Sequence, residues 1–418
     1  MTASAVSQIR VNLLFYMRFL CVRQLLLVAG LGFLAEPGPV WPAPFVPADD
    51  AVVLEKLPYR AADPAQRELR ALRAALAGNP RDPDRAIALA RRYFDLALAE
   101  GDPRYIGYAE TALRAVPESD APPADLLIVR AQLAQYRHQF ARAIALLEQA
   151  LSAEPEDPEA LAWSAAIRMV QADYAGAQRD CERLARVASE LLGTGCLAHV
   201  AAATGKLRTA YVRLLAASAR HPAARTTLKL WTYTLLADMA QRLGDAGAAD
   251  SHYRAAIALG ETDQYLLAAT AEFLLDERRP AEAEALLRDW ERSDVLLLLR
   301  ARALKALGRP EASALASKLQ ARYAADAQRG ERLHAQDEAR FRLEFLADAR
   351  GALAIAAQNW SGQREAADAR ILMEAALAAR EPRLAQPVLE WLAASGYEDF
   401  RLARLAAQLQ SMSRAAAQ

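Results

Sequence analysis

Small residues recur in this chain at a nearly constant distance. Ala109, Ala143, Ala177 and Ala210 are 34, 34 and 33 residues apart, and Ala249, Ala283, Ser313, Ala352 and Ala385 continue the series in steps of 39, 34, 30, 39 and 33. A second series, Ala131, Ala165, Ala198, Ala237, Ala271, Ala301, Arg340 and Met373, keeps the same steps twelve residues upstream. Self-similarity at a period of tens of residues marks a repeat architecture, in which one supersecondary unit cannot bury its apolar face alone and stacking supplies the core. Two small-residue series twelve apart place one member on each of two helices that pack closely together.

Composition agrees with a helical array. Alanine, leucine and arginine dominate, a strong helix-forming mixture. Hydrophobic residues make up 54% and charged residues 24% of the 418-residue chain, too apolar for disorder and too charged for a polytopic membrane protein. Breaks at Gly101–Pro103, Gly205–Lys206, Gly244–Asp245, Arg278–Pro280 and Gly308–Pro310 punctuate the helices. The steps of 39 precede repeats near Leu230 and Leu333 and lengthen a helix or loop there. The charged stretch Ala324–Arg342 has no firm phase and reads as a long solvated helix or a hinge.

The best copies read Leu127–Ala131–Ala134 then Phe140–Ala143–Leu147–Ala150–Pro155, and Leu161–Ala165 then Tyr174–Ala177. This pattern resembles the tetratricopeptide repeat, over roughly residues 83–395. It departs from the family in lacking a tryptophan near the start of the first helix, in using alanine for glycine at the small position, and in omitting several closing prolines. The resemblance implies an all-α solenoid, a right-handed superhelix of about nine antiparallel helix pairs. Residues 63–82, with a helix at Gln66–Ala77, form an N-terminal cap, and residues 396–418, with a helix around Phe400–Gln410, a C-terminal cap and tail.

The N-terminus carries Arg18 and Arg23 ahead of the apolar run Leu25–Ala35. That run is shorter than the ~20 residues a membrane span needs, and its arrangement is that of a secretory signal peptide, starting at Met1 or Met17. Residues 1–35 are a signal peptide or an uncleaved membrane anchor, and residues 36–62 a Pro-rich linker. The protein is expected to be periplasmic or secreted, with an inner-membrane-anchored form and a cytoplasmic one as alternatives.

Cys181 falls on the second helix of one pair and Cys196 on the first helix of the next. Counted from the turn near Val187–Ser189, their heights differ by only ~3 Å at 1.5 Å per residue, within reach of a disulfide whose Cα atoms stand ~5.5 Å apart. The alternative is two buried free thiols.

Catalytic and metal motifs are not found in the sequence. The five histidines stand apart, and His334 with Glu338 makes at most a two-ligand pair. There is no phosphate-binding glycine loop and no G-x-S-x-G. No cofactor, metal site or enzymatic activity is expected. The chain holds 46 arginines and five lysines against 51 acidic residues, and this even mixture reads as solvated helix surface rather than a nucleic-acid stripe.

In tetratricopeptide arrays the first helices line a concave groove that holds a partner peptide or helix. Carried over by position, the resemblance implies a groove of Gln132, Tyr136, His199, Trp231, Asp238, Gln241, Tyr265, Glu272, Arg302 and Lys305. Trp290, Trp360 and Trp391, on second helices, are expected in the core. The function expected is a non-enzymatic protein-binding scaffold of the bacterial cell envelope, with a protein or peptide partner, no nucleic acid, and membrane contact only through residues 1–35 if they are retained. A cytoplasmic adaptor or an auxiliary subunit of an envelope enzyme or transporter are the alternatives.

Overall fold

The structure is a computed structural model that describes residue 49 and residues 64–261, 263–329 and 335–416. The signal or anchor segment (1–35), nearly all of the Pro-rich linker (36–62) and His334 lie outside the described residues.

Among the described residues the regular structure is helical throughout. After α1 (Pro64–Gly78), nine antiparallel pairs follow: α2 (Pro83–Glu100) with α3 (Arg104–Leu113), α4 (Ala124–Tyr136) with α5 (Phe140–Ala153), α6 (Pro158–Val170) with α7 (Tyr174–Val187), α8 (Glu190–Ala203) with α9 (Leu207–Arg220), and α10 (Thr226–Arg242) with α11 (Ala246–Ile257). Next come α12 (Gln264–Asp276) with α13 (Pro280–Leu287), α14 (Asp294–Ala306) with α15 (Glu311–Gln328), α16 (Ala335–Phe345) with α17 (Ala349–Trp360), and α18 (Ala366–Ala379) with α19 (Gln386–Ser395), the last entered through a 3-10 turn at Pro382–Ala385. α20 (Phe400–Ala416) closes the chain.

Local chemistry sets the boundaries. Asp82, Asp157, Asp173, Ser189, Asp245, Asp263, Ser293 and Asp348 each accept a hydrogen bond from a backbone N–H in the first turn of the helix they precede, satisfying one of the donors a helix start leaves open. The turn inside each pair from α4 onward needs one left-handed residue. It is filled by His138, Ala172, Gly205, Gly244, Arg278, Gly308, Ala347 and Arg380, all at positive φ. These positions follow the steps of the small-residue series, so the period is written into the backbone as well as into the packing.

Burial separates the helices into two layers. The first helix α6 buries nearly every side chain from Ala160 to Val170, whereas its partner α7 buries only Gly176, Ala177, Asp180, Cys181 and Leu184. First helices are the inner layer, packed on both sides; second helices are outer and bury one stripe.

The two long steps are absorbed differently. α10 gains a turn and runs 17 residues, and α15 extends to 18. The stretch Ala324–Arg342 is not one solvated helix: α15 stops at Gln328, α16 starts at Ala335, and Gln336, Asp337 and Arg340 are buried.

Cys181 and Cys196 are bonded, with Cα atoms 5.4 Å apart, and both are buried. The bond ties α7 to α8 across the turn between successive pairs.

The inner layer does not surround an open channel. The array curls until distant pairs meet. At one seam the end of α2 abuts the starts of α12 and α14: Gly101, at φ +66°, sits so close that a methyl group there would lie 1.7 Å from Gln264 Oε1 and 2.8 Å from Ser293 Cβ. At the other, the last pair and its following turn cross the ends of α6, α8, α10 and α12. The Arg364 N–H donates to the Val170 carbonyl at 2.8 Å, Trp391 Nε1 donates to Tyr174 Oη at 3.0 Å, the Leu207 N–H donates to Glu398 at 2.9 Å and Arg242 Nε donates to the Glu398 carbonyl at 3.0 Å.

Candidate functional site

The curled inner layer encloses a cavity of about 270 Å³, walled by α2, α4, α6, α8, α10, α12, α14, α16 and α18 and by the Trp391–Leu402 region. Of the ten residues assigned to a groove, Tyr136, His199, Asp238, Gln241, Tyr265 and Glu272 line it. The other four do not.

Gln132 donates to Glu159 at 2.9 Å, and Glu159 also holds Arg91 at 2.7 Å. It links α2, α4 and α6 as a buried polar staple. Trp231 is core, 1% exposed. Gly195 on α8 leaves the space its ring fills, since a Cβ there would meet the ring at 2.3 Å. Arg302 is spent between Glu272 at 2.7 Å and Glu344 at 2.9 Å. Lys305 is exposed, donates to the Glu344 carbonyl and lies 4.8 Å over the Phe345 ring. Trp360 and Trp391 are buried against each other with ring centres 5.4 Å apart; Trp290, just past α13, is half-buried.

The cavity wall is dense in charge, and four of its arginines pair with carboxylates. Arg370 holds Asp276 at 2.7 and 2.8 Å and Glu374 at 2.9 Å. Arg401 holds Asp399 at 2.6 Å and Asp276 at 3.3 Å. Arg340 pairs with Glu374. Arg242 reaches Asp238 at 3.4 Å, donates to the carbonyls of Ala202 and Glu398, and stacks 3.9 Å over Tyr397. Burying a charge is tolerable only with such partners.

Burial also sets the protonation states. It pushes the His199 imidazole down to about 4, against a smaller pull from Asp238, so His199 is neutral at pH 7. It pushes Asp263, beside the α2 seam, up to about 6, although the Leu266 and Tyr265 N–H groups oppose it. Tyr136 and Tyr253 are raised by the same desolvation.

Sequence reasoning missed most of the wall. Gln264, Gln336, Arg340, Arg370, Trp391, Tyr397, Asp399 and Arg401 all line the cavity. Gln336 belongs to the stretch without phase, and Asp399 and Arg401 follow the last repeat, so no period pointed at them; Arg340 falls on the first-helix series, but as an anchor of the pair and not as a groove residue. The alternation Asp399-x-Arg401, which repeats that of Asp102-x-Arg104 with the same close ion pair, is the one signal available.

Nine inner-and-outer helix pairs, a left-handed residue in the turn inside each pair from α4 onward, and small residues twelve apart across most pairs complete the pattern. The described chain is an all-α solenoid of stacked helix pairs. Among solved structures it is similar to PilW, described as a widely conserved type IV pilus biogenesis factor, at 16% identity over 48% of this chain and 94% of that one, with a TM-score of 0.38. It is similar also to human IFIT1, solved as a dimer with m7Gppp-AAAA, at 13% identity over 84% and 86%, TM-score 0.43. A third is yeast Tom70, at 13% identity over 84% and 85%, TM-score 0.39. None of these likenesses carries a function over to this chain. No family model matches the sequence, and no curated protein matches it.

Among the described residues of the array, no group of three His, Cys, Asp or Glu side chains could hold a metal ion, and no helix is long and apolar enough to cross a membrane.

Proposed function

We propose that this array is a non-enzymatic protein-binding scaffold of the bacterial cell envelope. The observation that carries the reading is the buried Cys181–Cys196 bond within a body built wholly of stacked helix pairs. Disulfides persist in oxidising compartments such as the periplasm, which agrees with the basic-then-apolar N-terminus. In a reducing cytoplasm the same pair would be thiols, which weighs against the adaptor reading.

The partner meets the outer layer and the rims. A helix is about 10 Å across with its side chains and does not enter a cavity of about 270 Å³. A peptide laid along the inner face therefore requires the α18–α20 rim to lift away. A protein partner is favoured over nucleic acid because Arg242, Arg340, Arg370 and Arg401 of the inner wall are held by carboxylates rather than presented as a basic stripe.

The test is site-specific photocrosslinking in the native host. The crosslinker is placed at Val212 and Leu215, which are exposed on the outer helix α9, and at Tyr265 in the cavity. Thiols are counted by intact mass before and after reduction. A discrete adduct with an envelope protein from the outer positions, with two thiols freed only by reduction, supports the reading. Free thiols in a cytosolic fraction overturn it.

A further inference from the structure

The segment between α19 and α20 is seated on the array as a ligand would be. Residues 397–399 have no regular structure, and Gly396, Glu398 and Phe400 are exposed. What the segment touches follows the order of the pairs. Trp391 Nε1, at its start, meets Tyr174, the first residue of α7, in the third pair. Gly396 lies against Gly205, the left-handed turn of the fourth, where an added methyl group would stand 3.5 Å from the Gly396 carbonyl oxygen. Tyr397 and Glu398 bridge the fourth and fifth pairs, through the Leu207 N–H and Arg242. The Phe400 ring lies beside Gly244, the turn of the fifth. Arg401 reaches Asp276, the last residue of α12 in the sixth, at 3.3 Å. Sequence order and pair order run together, as they do for an extended chain laid across the repeats of a solenoid.

Two neighbouring side chains supply the chemistry. The Tyr397 ring covers Arg242, a cation–π contact, and Arg242 is only 3% exposed beneath it. The Glu398 carboxylate accepts from the Leu207 N–H at 2.9 Å, at the first residue of α9, where the helix dipole favours an anion. An aromatic and an arginine are the usual anchors of a peptide interface. The seat also separates cleanly from the body. Residues from Leu69 to Met239 form one apolar core and residues from Ala335 to Leu409 another, and Tyr397 packs against both. The closing rim can part from the array there without opening either core.

We infer that the rim formed by the turns of the fourth and fifth pairs is a peptide-binding site, which the chain's own Gly396–Tyr397–Glu398 segment fills in the closed array. The partner it fits is a protein segment with a small residue, an aromatic residue and an acidic residue in succession. Such a segment displaces the chain's own, stacks its aromatic ring on Arg242 and sets its carboxylate on the start of α9. This names the partner's chemistry for the protein-binding reading above and rests on that reading.

The experiment uses the full chain with its disulfide intact and a fluorescent peptide copying residues 394–402. The site is emptied in Tyr397→Ala/Glu398→Ala, and loosened in Glu398→Ala, whose exposed side chain leaves folding untouched. Anisotropy should show saturable binding of the peptide to both variants, about tenfold or more tighter for the double variant than for the wild type, where the tethered segment competes at millimolar effective concentration. A peptide with alanine in place of its tyrosine should bind about tenfold more weakly. Arg242→Ala, which also frees the rim but removes the anchor, should not bind the peptide. The inference is overturned if neither emptied nor loosened protein binds, if wild type and variants bind equally, or if Arg242→Ala binds as well as the double variant. A concentration-dependent wild-type dimer in sedimentation that the double variant loses overturns it too, since the site would then hold the segment of a second copy. Photocrosslinks from Val212 or Leu215 to an envelope protein without peptide binding would sink this inference alone and leave the scaffold reading standing.

Discussion

The guanidinium of Arg242 lies 3.9 Å from the centre of the Tyr397 ring, and its Nε donates to the Glu398 carbonyl, 156 residues away in sequence. Arg242 ends the inner helix of the fifth pair, and Tyr397 follows the outer helix of the ninth. The contact is where the array closes on itself. Arginine suits the position because its planar fork can stack and donate in several directions at once.

Removing Arg242 should therefore release the rim before it unfolds the array. Arg242→Ala removes the donor to the Ala202 and Glu398 carbonyls and to the half-exposed Asp238, and leaving buried acceptors without a donor costs about 1–3 kcal/mol. Hydrogen exchange read by mass spectrometry should show faster exchange over Tyr397–Leu402 and α20, with α4 to α6 unchanged. Uniform protection throughout would mean that the closing seam has other supports sufficient on their own.

The Cys181–Cys196 bond closes a loop of 15 residues, which in the chain-entropy account stabilises by about 3 kcal/mol. Cys181→Ser/Cys196→Ser should lower the urea midpoint accordingly, with the same slope. Both sulfurs are buried, so reductant should open the bond slowly in the native protein and quickly in denaturant. Equal rates under the two conditions would contradict the burial.

Two groups oppose each other between pH 4 and 6.5. His199 has its folded value lowered to about 4, so the unfolded chain binds the extra proton. Its stabilising contribution is present above about pH 6.5 and is lost as pH falls toward 4. Asp263 has its folded value raised to about 6, so the folded protein holds the proton, and this contribution is lost as pH rises from 4 to 6. The wild-type melting temperature should vary less across the window than either variant's. His199→Gln should grow less stable as pH rises toward 6. Asp263→Asn, which keeps a capping side chain, should grow more stable over the same range. Parallel profiles for all three proteins would count against both assignments.

Gly101 is demanded twice, by its φ of +66° and by the approach of Gln264 and Ser293. Gly260 has a similar φ of +75° and nothing near it. Gly260→Ala should cost about 1 kcal/mol for the left-handed backbone alone. Gly101→Ala should cost at least twice as much, because the α2 seam must also part. Equal losses by chemical denaturation would show that the seam yields without cost.

The nine pairs were legible because their determinants are local. Ala143, Ala177 and Ala210 recur at helical pair spacing, Asp157 and Ser189 cap the helices that follow them, and Cys181 and Cys196 lie at matching heights about one turn between pairs. Each can be read within a few dozen residues. The groove residues were half legible. Phase identifies Tyr136, His199 and Tyr265 as inward on the first helices, but Trp231 obeys the same phase and is core, because Gly195 on the neighbouring helix opens a space that the phase of α10 alone does not reveal. Gln336 was hidden by the loss of phase in Ala324–Arg342.

The sequence by itself determined the helices and their pairing and put Cys181 and Cys196 within bonding reach, since short-range sterics, caps and apolar periodicity act over one repeat; the structure decided that the two are bonded. The tertiary structure decided that the inner face closes. Curvature is the sum of small rotations between successive pairs, and no single repeat encodes that sum. Only when nine of them add up do Gly101 and Gln264, Tyr174 and Trp391, and Arg242 and Tyr397 come into contact, turning an expected groove into a walled cavity.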